Sequence, residues 1–246
     1  MYTYFDFVNP AVLRLLGSGH SVLDVGCGTG SLAVAASERG HRVTGVELSS
    51  EASEVARGRG IRVLTRDATD VEGLERELGE RFERVVFADL LEHLPEPVGV
   101  LAAYRPLLAP GGRVLVSLPN VAAWTVRLGL LFGRFEYVES GILDHTHLRF
   151  FTRASGWRAI EAAGYRVLRC DVTPHLTRAV WPLLKSFFRK DDGSADASAV
   201  LNSPAYRFYQ AWLEPVETLI ARVLPGLFAC QFVYEAEVRS SLTPDP

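Results

Sequence analysis

Cysteine is scarce in this sequence, and its pattern excludes two kinds of structure. The 246 residues contain 3 cysteines, Cys27, Cys170 and Cys230, at wide spacing. An odd number of cysteines so far apart forms neither a disulfide framework nor a CxxC metal pair. We therefore expect free thiols and a cytoplasmic location.

An excess of charge of one sign is also missing. The chain has 26 Lys and Arg against 29 Asp and Glu, which gives a formal net charge of −3. Proteins that bind nucleic acid usually concentrate basic charge for the phosphates, so the sequence predicts no nucleic-acid partner.

Long apolar runs are absent as well. The nearest approach to one, Val114–Trp124, is broken by Pro119 and Asn120. It falls short of the ~20 residues that a membrane-spanning helix needs. The first residues, MYTYFDFVNP, lack the basic and apolar regions of a signal peptide. We expect neither a membrane-spanning helix nor secretion.

The sequence does contain an alternation of short β-branched runs with helix-like stretches, which is typical of βαβ units around a parallel sheet. Its length suits one large domain or two small ones; we predict a single α/β domain over residues 1–246, with insertions at about 121–150 and 175–226. Strands are predicted at Ser21–Val25, Arg42–Glu47, Ile61–Leu64, Arg84–Ala88, Arg113–Ser117, Tyr165–Val172 and Leu227–Val238. Helices are predicted to begin near Gly30, Ser50, Val71 and Pro97, after the N-cap Thr152, and at Ala205–Val223.

A glycine-rich turn, VLDVGCGTG, links the first predicted strand to the first helix of the alternation. Glycines let the backbone approach a ligand closely, and the helix start offers free N–H groups, so a nucleoside-containing ligand is predicted. The spacing is G-x-G-x-G rather than the G-x-G-x-x-G of dinucleotide-binding proteins. The candidate residues are Asp24, Gly26, Cys27, Gly28 and Gly30. For Cys27 we favour a small packing residue over a catalytic thiol.

Acidic residues follow the next two strands. Glu47, beside Leu48, stands where a carboxylate accepts hydrogen bonds from a ribose diol. Asp67 and Ala68 offer a carboxylate and a backbone amide suited to adenine. With Asp24 they form an acidic rim that favours a cationic cofactor over a pyrophosphate.

The motifs VLDVGCGTG, VTGVELSSE, RDATD, FADLLEHLPEP and LLAPGGRVLVSLPN together resemble those of class I S-adenosylmethionine-dependent methyltransferases. The resemblance implies an α/β/α sandwich with a seven-stranded, mostly parallel sheet whose last strand is antiparallel. It also implies that the glycine loop holds the methionine and ribose parts of S-adenosylmethionine, Glu47 the ribose, and Asp67 with Ala68 the adenine. Asp89 and Leu90 are expected near the sulfonium.

Two further likenesses bear on the acceptor. FADLLEHLPEP is similar to ubiquinone-biosynthesis O-methyltransferases, and RFEYVESGILDHTHLRFFTR to methyltransferases of bacterial glycan or natural-product pathways. Acceptor pockets are built from insertions on a shared fold, so neither likeness names the substrate. We predict O-methylation of a small molecule or a sugar-bearing intermediate, with nitrogen or carbon acceptors as alternatives.

Imidazoles are the candidate catalytic groups. In DHTH, His145 and His147 share a face if the chain is extended, and Asp144 is near enough in a turn to fix the tautomer of His147. The segment is interpreted as a structural turn, an acceptor-side base or orienting group, or a metal site. Because no fourth ligand is evident, no metal is predicted. His147 is preferred as the base, before His145 and His93.

The apolar stretches VAAWTVRLGLLF and WPLLKSFF are predicted to be lids that exclude water. Peripheral contact with a membrane and a dimer interface are the alternatives. At the level of function, the main alternative is a non-catalytic scaffold subunit that binds the cofactor. An NAD oxidoreductase ranks below it because of the glycine spacing.

Overall fold

The computed structural model of the chain describes residues 8–175 and 209–239. The helices are Pro10–Leu16 (α1), Ser31–Ser37 (α2), Ser50–Gly58 (α3), Val71–Leu78 (α4), Pro97–Ala103 (α5), Trp124–Leu131 (α6), Arg153–Ala162 (α7), Glu214–Val223 (α8) and Pro225–Phe228 (α9). The strands are Ser21–Val25 (β1), Arg42–Glu47 (β2), Arg62–Thr65 (β3), Phe82–Ala88 (β4), Leu108–Pro119 (β5), Tyr165–Pro174 (β6) and Ala229–Val238 (β7). Short 3-10 turns lie at Leu91–His93 and Arg105–Leu107, and a π turn at Tyr209–Leu213 precedes α8.

The strands of the described residues form one seven-stranded sheet in the order β3-β2-β1-β4-β5-β7-β6. β1 to β5 pair in parallel, whereas β7 runs antiparallel to both β5 and β6. The predicted seven-stranded sheet with an antiparallel last strand is therefore confirmed. The chain adds strands to one side of the sheet from β1 to β3 and to the other side from β4 onward, so the order switches between β1 and β4. In open α/β sheets, ligands bind at the carboxyl ends of the strands at such a switch point.

Alternate residues of the central strands face two separate cores, as the period of two of a strand requires. In β1, Leu23 and Val25 pack in the core that contains α4, α5 and α7, whereas Val22 faces the core of α1, α2 and α3. Burial on both faces explains why the central strands are continuous apolar runs. The result is the predicted three-layer sandwich.

The observed elements differ from the prediction at identifiable positions. β1 and β2 have the predicted bounds, whereas β5 begins at Leu108, ahead of the predicted start at Arg113, and includes Pro110–Gly112. Leu108 pairs with Phe82 before the register shifts, so these residues form an irregularity within the strand. A Cβ on Gly112 would lie 2.8 Å from the Ala109 carbonyl oxygen, which explains the glycine.

The predicted insertions are described in part. The segment 175–226 is described at its two ends, and the observed α8 covers part of the predicted helix Ala205–Val223. The stretch WPLLKSFF, predicted to be a lid, lies outside the described residues. Among the described residues, no helix is long and apolar enough to cross a membrane.

The insertion 121–150 contains α6 and then an irregular segment that returns to the sheet. Asn120 and Phe151 form a bridge at its base, and the amides of Leu148 and Arg149 donate to the carbonyl of Glu92. A small apolar cluster of Ala123, Val126 and Ile142 supports it. The segment is thereby held beside the turn that follows β4.

Candidate active site

The glycine turn has the backbone conformation that its sequence predicts. Gly26, Gly28 and Gly30 have φ values of 76°, 54° and 84°, which residues with a Cβ rarely adopt. A Cβ on Gly26 would come within 3.0 Å of the Leu90 side chain, so the glycine also permits a close approach of the loop after β4. The amides of Gly26 and Cys27 donate to the Val46 carbonyl, which ties the turn to β2.

Asp24, in β1, is the most constrained carboxylate of this turn. It is 1% exposed, and its Oδ2 has no hydrogen-bond partner among the described residues. Burial and, to a smaller extent, the nearby charge of Glu47 raise the pKa of Asp24 to about 7. A buried acceptor without a partner at the wall of a cleft is suited to a cationic group or a donor on a ligand. This is what a positively charged cofactor offers.

Glu47 braces the glycine turn. Its Oε2 accepts from the Gly28 amide at 2.9 Å and its Oε1 from the Ser49 amide at 2.8 Å. The side chain is buried at the carboxyl end of β2. The structure thus gives Glu47 a role in shaping the turn, which sequence reasoning did not foresee, besides the predicted contact with ribose.

The predicted adenine-side residues lie further along the same sheet edge. Leu48 follows β2 and is 69% exposed. Asp67 follows β3 and accepts from the amide and hydroxyl of Thr69, while the Ala68 carbonyl accepts from the Tyr104 hydroxyl. Beside these residues lies a cleft, described in the paragraphs that follow. Within the described part of the chain, the residues that line it do not include Glu47, Leu48, Asp67 or Ala68.

Cys27 is a packing residue in this geometry. It is buried, and a Cβ on Gly45 would lie 2.5 Å from its Sγ, so the thiol occupies the space left by that glycine. Burial, together with the charges of Asp24 and Glu47, raises the pKa of the Cys27 thiol far above its ordinary range. A reactive thiolate is therefore disfavoured, in agreement with the preferred interpretation of the sequence. None of the three cysteines forms a disulfide with another.

Asp89, directly after β4, has a φ of 54°, a conformation unusual for a residue with a side chain. Its Oδ1 accepts from the Ser117 hydroxyl at 2.5 Å and from Gln231 Nε2 at 2.7 Å. Backbone strain of this kind persists only where its surroundings fix it, and it clusters at functional sites. Asp89 lines the cleft, whereas Leu90 packs against Gly26; their place near the sulfonium stays a prediction.

A single cleft of about 310 Å³ joins the glycine turn to the insertion. This volume lies at the lower end of the range for small-molecule sites. Its walls include the glycine turn, the loop after β4 and the segment 140–147, together with Asn9, Pro119 and the start of β7. The lining includes Asp24, Gly26, Cys27, Asp89, Glu92, His93, Asp144 and His147.

His93 and His147 meet in this cleft although 53 residues of sequence lie between them. Their ring centroids are 4.8 Å apart in an edge-to-face arrangement. Nδ1 of His147 donates to the Ile142 carbonyl at 3.1 Å, and Nδ1 of His93 lies 3.1 Å from the Thr146 hydroxyl. Burial, and then the charge of His93, lower the pKa of His147, so its ring is neutral near pH 7.

One expectation about the histidine segment is wrong, and the condition for another is not met. The segment is a turn, as one of the three interpretations had it, so His145 and His147 do not share a face: His147 is buried, whereas the side chain of His145 is 63% exposed. The tautomer of His147 is fixed by the Ile142 carbonyl rather than by Asp144. Asp144 instead accepts from the amide and hydroxyl of Thr146.

Glu92 is a residue of the cleft that sequence reasoning missed. It is 0% exposed, and both of its carboxylate oxygens lack a hydrogen-bond partner among the described residues. Burial first, and then the charge of Asp89, raise the pKa of Glu92 well above its ordinary value. The one sequence signal for Glu92 is its position next to His93 in LEH. A charged residue on a short turn is normally expected to face solvent, so this signal does not predict its burial.

Comparison with known proteins finds related sequences and related structures. A family model described as a methyltransferase domain matches residues 2–169. The "Ubiquinone biosynthesis O-methyltransferase" of Idiomarina loihiensis is 33% identical over 63% of this chain and 68% of its own length. The protein of the same description from Albidiferax ferrireducens is 32% identical over 77% of each chain. Other relatives with this description match over only about half of their length.

Solved structures show the same fold at low sequence identity. A SAM-dependent methyltransferase from Archaeoglobus fulgidus superimposes with a TM-score of 0.58 at 17% identity, over 92% of this chain and 90% of that chain. The likeness to this structure concerns the fold alone.

Proposed function

The chain belongs to the methyltransferase domain family, in its class of S-adenosylmethionine-dependent enzymes, and from this membership we propose that it methylates an oxygen atom of a small-molecule or sugar-bearing acceptor. The observation that carries the proposal is the shared cleft. The glycine turn and the imidazoles of His93 and His147 line the same space, so a donor bound at one wall faces an acceptor bound at the other. The O-methyltransferase description of the relatives supports oxygen as the acceptor atom.

The residues present fit S-adenosylmethionine as the cofactor. When bound, it supplies an electrophilic methyl group on a positively charged sulfur. In this proposal the buried, unpartnered Oδ2 of Asp24 accepts from its ammonium group, and Glu47 and Asp67, which follow β2 and β3 at the same sheet edge, bind ribose and adenine. Leu48 offers an exposed apolar surface beside them. Asp89 is held rigidly by Ser117 and Gln231 at the boundary with the acceptor side.

The acceptor hydroxyl is oriented and activated at His147 and His93. With Nδ1 of His147 donating to a carbonyl, Nε2 is the nitrogen that carries a lone pair. The burial of His147 and the insertion 121–150 limit access of water, and alignment of acceptor and donor supplies much of the rate. His145 has no part in this arrangement because it points to solvent.

Single-turnover and steady-state assays of S-adenosylhomocysteine release, with a panel of phenolic and sugar hydroxyl acceptors, test the proposal. His147→Asn should lower kcat by about 10²–10⁴-fold while S-adenosylhomocysteine affinity stays within a few-fold of the parent. His20→Asn is the matched control, because His20 lies directly before β1, at the opposite end of that strand from the cleft, and does not line it. Binding of S-adenosylhomocysteine without methyl transfer to any acceptor would favour the scaffold alternative.

We further propose that the acceptor side touches a membrane surface. Leu131 and Phe132 of the insertion are 78% and 71% exposed, and Trp212 is 68% exposed, so large apolar side chains face outward. Such side chains can insert at a lipid interface. Co-sedimentation with phosphatidylcholine vesicles should be lost in a Leu131→Ser/Phe132→Ser variant. Equal sedimentation of the two proteins would exclude a role for these side chains.

A further inference from the structure

Three side chains that line the cleft, outside the residues proposed to bind the cofactor, lie close together. Glu92, His93 and His147 each place one potential ligand atom within 4.8 Å of the others. Within the described residues, this is the one group of three acidic, histidine or cysteine side chains that lies so close. Two imidazoles with one carboxylate are a ligand set of catalytic zinc and of other first-row divalent metals.

Glu92 is the second, independent observation. A carboxylate that is 0% exposed, with neither oxygen hydrogen-bonded among the described residues, is costly unless a cation or a donor compensates it. Asp89 and Asp144 add negative charge around it. A divalent cation satisfies both carboxylate oxygens and relieves the repulsion among these groups.

The hydrogen bonds behind the two imidazoles fit the same purpose. Histidines that bind metal usually donate their other ring N–H to a carbonyl, carboxylate or other acceptor, which fixes the tautomer. Nδ1 of His147 donates to the Ile142 carbonyl. The Thr146 hydroxyl donates to Asp144, so it accepts from Nδ1 of His93. In both rings the ligand nitrogen is therefore Nε2.

We propose that Glu92, His93 and His147 bind one divalent first-row metal ion of the Zn²⁺ or Co²⁺ class, which receives the acceptor hydroxyl. This inference rests on the proposed function and explains how the imidazoles act there. Of the candidate ligands in the sequence segment, Asp144, His145 and His147, only His147 belongs to this group. Glu92 and His93 provide the other two ligand atoms. Because Zn–N distances are about 2.0–2.1 Å, the three ligand atoms must approach by roughly 1 Å on binding.

The chemistry of such a site is Lewis-acid activation. An oxygen on the ion loses its proton to water more readily, because the cation stabilises the alkoxide or phenoxide. The new O–C bond forms as the S–C bond to the methyl group breaks, and the sulfur retains that electron pair. The imidazoles then act as ligands, and no side chain has to accept the proton.

Metal binding can be measured without turnover. After chelation and dialysis, the full chain is titrated with CoCl₂ and then ZnCl₂, followed by visible absorption and calorimetry. We expect one equivalent of Co²⁺ with the absorption of histidine and carboxylate ligation, displaced by Zn²⁺. Glu92→Gln and His147→Asn should each weaken Co²⁺ binding by more than about 100-fold, beyond the ~10–100-fold effect of losing a partner outside the ligand shell. His20→Asn should leave it unchanged.

Glu92→Gln also distinguishes two states of Glu92, a carboxylate that binds the metal and a buried carboxylic acid that is protonated. Glutamine has the shape of the protonated acid and, like it, carries no charge. Unchanged S-adenosylhomocysteine affinity and thermal unfolding show that each variant is folded. Co²⁺ binding that survives Glu92→Gln in a folded protein overturns the proposal, as does methyl transfer that persists undiminished in chelator. Stoichiometric Co²⁺ binding at these residues without methyl transfer to any acceptor would instead overturn the proposed function and leave the metal site standing.

Discussion

Asp24, a buried carboxylate whose proposed cationic partner is a ligand, should make the ligand-free protein less stable at neutral pH than at acidic pH. The pKa of Asp24 is raised from 3.8 to about 7, so the folded protein holds a proton that the unfolded chain releases. The stability from this proton is fully present below about pH 4 and is lost as the pH rises through 7. The shift corresponds to at most about 4 kcal/mol.

Asp24→Asn should therefore stabilise the ligand-free protein against urea at pH 8, with a difference that shrinks towards pH 5. The same substitution should weaken S-adenosylhomocysteine binding, because the ammonium group of the ligand loses its charged partner. Urea titrations at the two pH values, with calorimetry at pH 8, measure both effects. A stability difference that is the same at pH 5 and pH 8 would show that Asp24 does not titrate in this way.

Glu47 combines two roles that its substitutions can separate. Glu47→Ala removes the acceptor for the Gly28 and Ser49 amides and the predicted ribose partner. Hydrogen bonds to a charged group contribute about 1.5–3 kcal/mol each, so we expect a loss of about 2–4 kcal/mol in S-adenosylhomocysteine affinity after partial compensation by water. Glu47→Gln keeps one acceptor oxygen and should lose less. If Glu47→Ala lowers the Tm but leaves affinity unchanged, Glu47 only braces the turn.

At the scale of elements, the packing of α7 on the sheet depends on one glycine. A Cβ on Gly156 would lie 2.8 Å from the Tyr234 hydroxyl and 3.0 Å from Leu118 Cδ1. The Tyr234 hydroxyl is fixed because it donates to the Arg153 carbonyl at 2.8 Å. Gly156→Ala should therefore destabilise the protein by about 1–3 kcal/mol despite the better helix propensity of alanine.

Gly99 in α5 is the matched control, since a Cβ there meets nothing within 4 Å. Gly99→Ala should be neutral or stabilising by up to about 1 kcal/mol. Urea unfolding of the two variants measures the contrast. Equal effects of the two substitutions would mean that α7 shifts easily on the sheet.

The elements were predictable where local chemistry alone decides them. The N-cap Thr152 was predicted, and its hydroxyl accepts from the Ser155 amide in a capping box. Pro110–Gly112 reads locally as a turn, but pairing of Leu108 with Phe82 extends the strand through it. The burial of Glu92 and the separation of His145 from His147 depend on how the insertion folds onto β4, and no local pattern reports such long-range packing.

At the scale of the whole molecule, one continuous sheet contrasts with a thinly supported insertion. β4 is paired on both sides, by β1 and β5, and its Phe82, Val85, Val86 and Phe87 are buried. Residues 131–140 are all exposed, and the buried apolar residues of the insertion are the three of one small cluster, Ala123, Val126 and Ile142. Local opening is easiest where few apolar contacts and exposed backbone coincide. The predicted lid within 121–150 thus includes a stretch with little apolar support.

Hydrogen exchange should show this contrast directly and reveal closure. In the free protein, amides of 131–140 should exchange within seconds, whereas those of β4 exchange only at rates set by global unfolding. Saturating S-adenosylhomocysteine with acceptor should slow exchange most in 140–147, because this segment lines the cleft and is the part that ligands hold in place. Residues 62–65 of β3, at the far edge of the sheet from the insertion, provide the internal reference. If 131–147 is as protected as β4 without ligand, the insertion is a fixed wall, and acceptors must enter by another route.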